Sequence, residues 1–339
     1  MGPDRTNGRK ENSITPTISV IVVSYNTRDL LRTCLNSLWE AMDGISNEVF
    51  VVDNVSRDGS ADMVEQEFPS VRLIRSSVNL GFAAGNNKAF PLAAGRYIVL
   101  LNSDAFLMRD SLRVSVSYMD ADPRVGLGGA RLIGADQGWQ PSARMFPSPL
   151  NDFLSLSGLA AKFPKSRFFG RQDHTWIDSN QPLDTDWVPG AYSIIRRTAL
   201  EQVGYFDEQF FLYYEEVDLC RRIKKAGYLI RYWPDVVVIH LGGESSKTVK
   251  TLSMSRSGAQ LELWRMRSAF LYYRKHHGNV VWLSKEIETV WHRLRRWKNS
   301  LMSSAFHREK ADHSQAVIQL LNQAWQETSR GSVSPSRPW

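Results

Sequence analysis

The run Tyr97-Ile98-Val99-Leu100-Leu101 breaks off sharply at Asn102-Ser103-Asp104. An unbroken apolar run of this length reads as a strand buried on both faces, which calls for a parallel sheet with helices on either side. The polar ending then sets Asp104 at the carboxyl edge of that strand, the edge where open α/β sheets bind ligands. An ionised carboxylate at such a place is costly unless a cation or several donors meet it. A divalent metal holding a diphosphate is one such partner. A cap on a turn or helix is the plainer use of the same side chain.

The flanking chain repeats the alternation. Strands are expected over residues 18–26, 48–52, 71–75 and 96–101, with helices over 29–42, 60–68 and 86–94 between them. A helix over 111–119 leads to strand text at 126–130. Residues 138–184 lose all period and read as a long loop with short helices, the kind of insertion that touches substrate. Order returns at 187–196, in a helix over 197–203, in a helix-like stretch over 211–225 and in strand text over 228–240. The expected fold is α/β: a mostly parallel central sheet flanked by helices, with a C-terminal helical extension.

At 339 residues and 42% hydrophobic content the chain can build a sizeable core. Its two cysteines, Cys34 and Cys220, have no CxxC or Cys/His spacing, which argues against a disulfide framework or a zinc site. No apolar run approaches the roughly 20 residues that span a bilayer, and the polar N-terminus lacks the apolar centre of a signal peptide. A cytoplasmic protein is expected, soluble or peripheral on the inner face of the membrane. The net charge is +7, and residues 262–298 concentrate it, with nine Lys/Arg against three acids among tryptophans and tyrosines. That stretch suits either a peripheral membrane contact or a helical unit packing its aromatics on the body. With no nucleic-acid motif beside it, a nucleic-acid partner is not expected.

The loops that follow the first four strands carry unusual polar residues: Ser24, Tyr25 and Asn26; Asp53, Asn54 and Asp58; Asn79, Gly81, Phe82 and Asn86; then Asn102, Ser103 and Asp104. Parallel strands gather those loops at one edge, giving partners for a base and ribose, an aromatic wall and a carboxylate for a metal. Asp58-Gly59-Ser60 also reads as an ordinary turn and cap. The loop 79–87 matches neither GxGxxG nor GxxxxGK[ST], so neither a dinucleotide fold nor a P-loop is supported. Farther on, Tyr213-Tyr214-Glu215-Glu216-Val217-Asp218 packs three carboxylates into four positions. These must be solvated, metal-bound or partly protonated, and a helix N-terminus is their plainer setting. His240 ends a strand before Gly242-Gly243, and neutral imidazole is a common metal ligand.

Taken in order, Ser24-Tyr25-Asn26, Val51-Val52-Asp53-Asn54, the segment 79–86, the segment 100–104 and the segment 211–219 resemble family 2 inverting glycosyltransferases of the GT-A fold, in their rhamnosyltransferase-like branch. The resemblance implies a GT-A domain over 18–250, with a nucleotide-binding half 18–105 and an acceptor half 106–250. A leader over 1–17, a basic aromatic helical extension over 251–310 and a tail over 311–339 complete the chain. It further implies a donor site made by Ser24, Tyr25, Asn26, Asp53, Asn79, Gly81, Phe82, Asn86, Asn102 and Ser103, with Asp53 on the nucleobase. Asp104, in the DXD position, and His240 would ligate Mg²⁺ or Mn²⁺; Asn102 stands where the first Asp of that motif is usual. Glu216 takes the place of the catalytic base, usually Asp in a Glu-Asp pair. Trp187, Gly190, Ala191, Tyr214, Glu215 and Asp218 fall on the acceptor side. The implied reaction moves rhamnose or another hexose from a dTDP or UDP sugar to a glycan or lipid-linked glycan in bacterial cell-surface polysaccharide synthesis. A non-catalytic sugar-nucleotide or carbohydrate-binding protein of the same fold is the alternative.

Overall fold

Alternation inside the first strand already sets the layering. In β1 (Ile18–Ser24), Ile18, Val20 and Val22 join one apolar cluster while Ile21 joins another, and all four are fully buried. Burial on both faces needs a helical layer on each. The computed structural model describes residues 15–242 and 256–336, so most of the expected leader and the first residues of the C-terminal extension lie outside the described residues. In chain order the first half runs α1 (Arg28–Ala41), β2 (Asn47–Asp53), α2 (Ser60–Glu67), β3 (Arg72–Arg75), α3 (Gly81–Ala89), β4 (Tyr97–Asn102), β5 (Ala105–Leu107) and α4 (Ser111–Ala121). The second half runs β6 (Val125–Ile133), β7 (Trp139–Gln140), α5 (Pro149–Leu156), α6 (Leu159–Lys162), β8 (Leu183–Asp184), β9 (Tyr192–Arg196), α7 (Arg197–Val203), α8 (Glu215–Lys225) and β10 (Leu229–His240). Three helices close the chain: α9 (Arg256–His277), α10 (Val280–Ser300) and α11 (Ala305–Glu327).

The strands form one sheet in the order β3-β2-β1-β4-β9-β6-β10-β5, with β7 beside β6 and β8 beside β10. Its first four strands are parallel, as expected from the strand–helix alternation. Beyond them the sheet is mixed: β9 enters antiparallel between β4 and β6. Because β9 runs against β4, its entering end lies at the carboxyl edge of β4, and Asn102 donates its N–H to Ala191 O at 3.0 Å. The loop before β9 is thereby carried to the same edge as the loops after β1, β2 and β4.

Two boundaries differ from expectation. Helix α3 starts at Gly81, five residues earlier than the expected residue 86, because Asn79 Oδ1 accepts the Gly81 N–H at 2.9 Å and supplies a start that two glycines obscure. The stretch expected as a tail from 311 lies in α11, which buries Val317, Ile318, Leu321 and Ala324 against α9 and the start of α10. In the extension, Trp264, Tyr272 and Tyr273 of α9 are buried on the body, whereas Trp282 and Trp297 of α10 are exposed.

Candidate functional site

Parallel register puts Ser24 beside Asp53 and Val23 beside Asn102. Asp53 is buried at this edge. Its Oδ2 accepts the Ser56 N–H at 3.0 Å, while Oδ1 is buried with no hydrogen-bond partner among the described residues. A buried carboxylate oxygen in that state is a place for a donor from outside the chain. Several neighbours expected at the donor are already spent on the protein. Ser24 Oγ lies 3.0 Å from Thr27 Oγ1, which donates to Ser103 Oγ at 2.9 Å. Asn26, at φ 52°, accepts the Arg57 N–H on Oδ1 at 2.7 Å. These bonds staple the loops after β1, β2 and β4 together, the usual work of Ser and Asn in turns. Asp58 is a turn residue too, accepting from the N–H groups of Arg28 at 2.8 Å and Ser60 at 3.0 Å. Tyr25 remains half-buried in the first loop.

Loop 79–87 is tied both backward and forward. Asn54 donates through Nδ2 to Gly81 O at 3.0 Å, and Asn86 Nδ2 donates to Phe82 O at 2.9 Å. The Phe82 N–H donates to Phe211 O, also at 2.9 Å, so the loop after β3 is bonded to the turn that leads into α8. Gly81 makes this possible: its φ is +76°, and a methyl group there would lie 2.2 Å from Phe211 O.

At the other end of the edge, antiparallel pairing of β10 with β5 sets His240 opposite Ala105, next to Asp104. His240 Nε2 lies 3.7 Å from Asp104 Oδ1 and has no hydrogen-bond partner among the described residues. Its protonation follows from Gln140, which sequence reasoning missed. Gln140 Nε2 donates to His240 O at 2.9 Å, so the amide oxygen is the atom facing His240 Nδ1 at 3.0 Å. Oxygen only accepts, so Nδ1 carries the hydrogen and Nε2 keeps its lone pair toward Asp104. Burial also lowers the imidazole's affinity for a second proton, against the pull of Asp104. A carboxylate beside a neutral, oriented imidazole nitrogen fits a divalent cation. No group of three or more His, Cys, Asp or Glu suited to a metal occurs among the described residues, so a cation here would take its other ligands from substrate or water.

The third part is the entry to α8. Tyr213 and Tyr214 have φ of 68° and 70°, two consecutive left-handed non-glycine residues. Such backbone is strained and is kept only where its surroundings enforce it. The turn delivers Glu215 and Glu216 into the first turn of α8. A methyl group on Gly190 would lie 3.6 Å from the Phe82 ring and 3.9 Å from Glu216 Cβ, so loop 79–87, the loop before β9 and Glu216 meet at one point. Glu216 lines a cleft of about 850 Å³ with Trp187, Pro189, Tyr213 and Tyr214 on one side and Arg265, Glu288 and His292 of the extension on the other. Its Oε2 has no hydrogen-bond partner among the described residues. Burial pushes the Glu216 carboxyl up, against the helix amides and Arg144; burial and the neighbouring Glu216 push the Glu215 carboxyl up as well.

Glu215 and Asp218 do not line that cleft. Asp218 is wholly buried and bonded to Arg222 at 2.8 Å, Lys275 at 2.6 Å and His276 at 2.7 Å. Burial alone would raise its carboxyl, but these three partners hold it well below the ordinary carboxylate range. It thus fastens α9 to α8, and the structure does not bring it to the cleft that Glu216 lines.

A family model described as glycosyl transferase family 2 matches residues 19–204. The chain belongs to that family. It is 30% identical over 243 residues, 67% of this chain and 76% of the other, to the N-acetylglucosaminyl-diphospho-decaprenol L-rhamnosyltransferase of Mycobacterium tuberculosis. To the rhamnosyltransferase WbbL of Escherichia coli it is 25% identical over 270 residues, 75% of this chain and 92% of that one. The solved mannosyltransferase PcManGT from Pyrobaculum calidifontis, in complex with GDP-Man and Mn²⁺, superposes with a TM-score of 0.56 at 18% identity, covering 93% of this chain and 89% of that one. It shares the fold, which is of the GT-A type. The chain is therefore a family 2 glycosyltransferase, and the matched stretch ends before Glu216.

Proposed function

We propose that this glycosyltransferase is metal-dependent and inverting, and that it moves rhamnose or another hexose from a dTDP- or UDP-linked donor onto a glycan or lipid-linked glycan of the bacterial cell surface. The observation that carries the reading is the position of Glu216: a carboxylate with an unpartnered oxygen, in the cleft wall, against Gly190 and the donor-side Phe82. Inversion needs one carboxylate to take the proton of the acceptor hydroxyl as its oxygen attacks the anomeric carbon opposite the departing nucleotide. Glu216 is the group for that step, and its raised affinity for protons suits it to accept one. Asp53 Oδ1 accepts from the base of the nucleotide, and Phe82 with Tyr25 provides apolar surface for the donor. Trp187, Gly190, Ala191 and Tyr214 form the acceptor side. Asp104 and His240 hold Mg²⁺ or Mn²⁺, with Asn102 beside them. The bound cation would offset charge growing on the leaving diphosphate.

The acceptor of the mycobacterial relative, by its name, is built on diphospho-decaprenol, which supports a lipid-linked acceptor for this chain. A peripheral place on the inner face of the cytoplasmic membrane belongs to the same reading. No helix of the described residues is long and apolar enough to cross a membrane. Purified protein assayed against a panel of nucleotide sugars, with Mn²⁺ and with chelator, tests the proposal. Metal-dependent nucleotide release supports it; tight donor binding without release under any condition favours the non-catalytic alternative.

A further inference from the structure

Helix α10 is built inside out. Its inward positions include Ser284, His292 and Asn299, all buried, and Ser284 and His292 line the cleft that also holds Glu216. Its outward positions are apolar. Leu283, Val290, Leu294, Trp297 and, just past its end, Leu301 fall within about 60° of one another at 3.6 residues per turn, and Phe306, in the first turn of α11, is also exposed. Trp297 is 64% exposed, Leu301 69% and Phe306 60%. A continuous apolar stripe on a soluble surface marks something that covers it.

The charges around the stripe say what. At the same helical pitch, Arg293 and Lys298 flank it on opposite sides; both are exposed and form no ion pair among the described residues. Glu286, the acid of α10 on this side, is paired with Lys285 at 3.0 Å, and Glu288 is turned inward to Arg265 at 3.1 Å. A second copy stacked on this face through a twofold axis would bring these cations toward one another. An anionic bilayer satisfies both the stripe and its rim: Trp and Leu enter the headgroup boundary while Arg and Lys meet lipid phosphates. We propose that α10 and the first turn of α11 lie in the plane of an anionic membrane through Leu294, Trp297, Leu301 and Phe306. This deepens the peripheral placement proposed above and is independent of the transfer chemistry. One helix then forms both the membrane face and a wall of the cleft, so a lipid-borne acceptor reaches Glu216 around α10.

The test is co-sedimentation of the full chain with vesicles of phosphatidylcholine alone or mixed with phosphatidylglycerol. Binding to the mixed vesicles is expected to exceed binding to the neutral ones by about tenfold or more and to fall with salt. The double variant Trp297→Ser, Leu301→Ser should lose about tenfold or more, and Arg293→Glu, Lys298→Glu should erase the preference for anionic lipid. Both pairs lie outside the packed interior, and matched thermal unfolding would establish that they fold. Sedimentation indifferent to lipid charge, or unchanged in both variants, overturns the proposal. So does a wild-type dimer that the same substitutions dissolve, which would assign the face to a second copy. Release of nucleotide from donor in lipid-free solution should be unaltered in both variants; its absence from the wild type, with vesicle binding intact, would count against the transferase mechanism alone.

Discussion

Replacing Glu216 by Gln keeps the shape of the side chain and removes only its ability to take a proton. General-base catalysis contributes about 10² to 10⁴ in rate, which corresponds to about 3 to 5 kcal/mol of barrier. Donor binding should be retained, since Glu216 lies across Gly190 from the Phe82 ring of loop 79–87. The loss should fall on kcat in a nucleotide-release assay with acceptor present. Burial raises the Glu216 carboxyl, so the wild-type acid limb should lie above the ordinary glutamate value of about 4.3, and the Gln variant should lack it. The same shift fixes a stability signature. Folded Glu216 holds its proton to higher pH than the unfolded chain does, so its ionisation subtracts from stability progressively as pH rises from the ordinary value through the folded one. Glu216→Gln should accordingly be at least as stable as the wild type at neutral pH, with the margin closing under acid conditions. Activity within about threefold of wild type, or an acid limb at the ordinary carboxylate position, would refute the assignment of the base.

Gln140→Leu removes the acceptor that fixes the His240 tautomer, and metal affinity measured by calorimetry should drop by about 10- to 100-fold with the fold intact; unchanged affinity would sink the orienting role. Gly81→Ala places a methyl group 2.2 Å from Phe211 O at a left-handed backbone position, and urea unfolding should register a loss above about 2 kcal/mol. Asp218→Asn leaves Arg222, Lys275 and His276 without their buried counter-charge, a loss of about 3 to 5 kcal/mol at neutral pH. Because the Asp218 carboxyl is depressed, that difference should persist above about pH 4 and shrink as pH falls toward the folded value.

Residues whose role follows from strand ends were the readable ones. Asp53 and Asp104 each close a β-rich run, and parallel register then carries them to one edge without further information. Ser24, Asn26 and Ser103 were legible as polar residues at that edge, but a one-dimensional pattern does not distinguish a ligand donor from a staple between loops; partners such as Thr27 and Ser103, 76 positions apart, do. Gln140 sits 100 positions from His240 in a stretch without period, so no local signal marked it. The start of α3 was hidden because Gly81 and Gly85 weaken helical propensity, while the packing that rewards them lies in Phe211 and Val23. Asp218 looked like a member of an acidic cluster; its partners Lys275 and His276 on α9 appear only when the chain returns.

The hydrogen bond from Phe82 to Phe211 O joins two segments 129 positions apart, with Gly81 admitting the approach. Neither can drift alone. An insertion in one would have to be matched by rebuilding the other, so divergence among descendants of this chain should leave the pair inherited together.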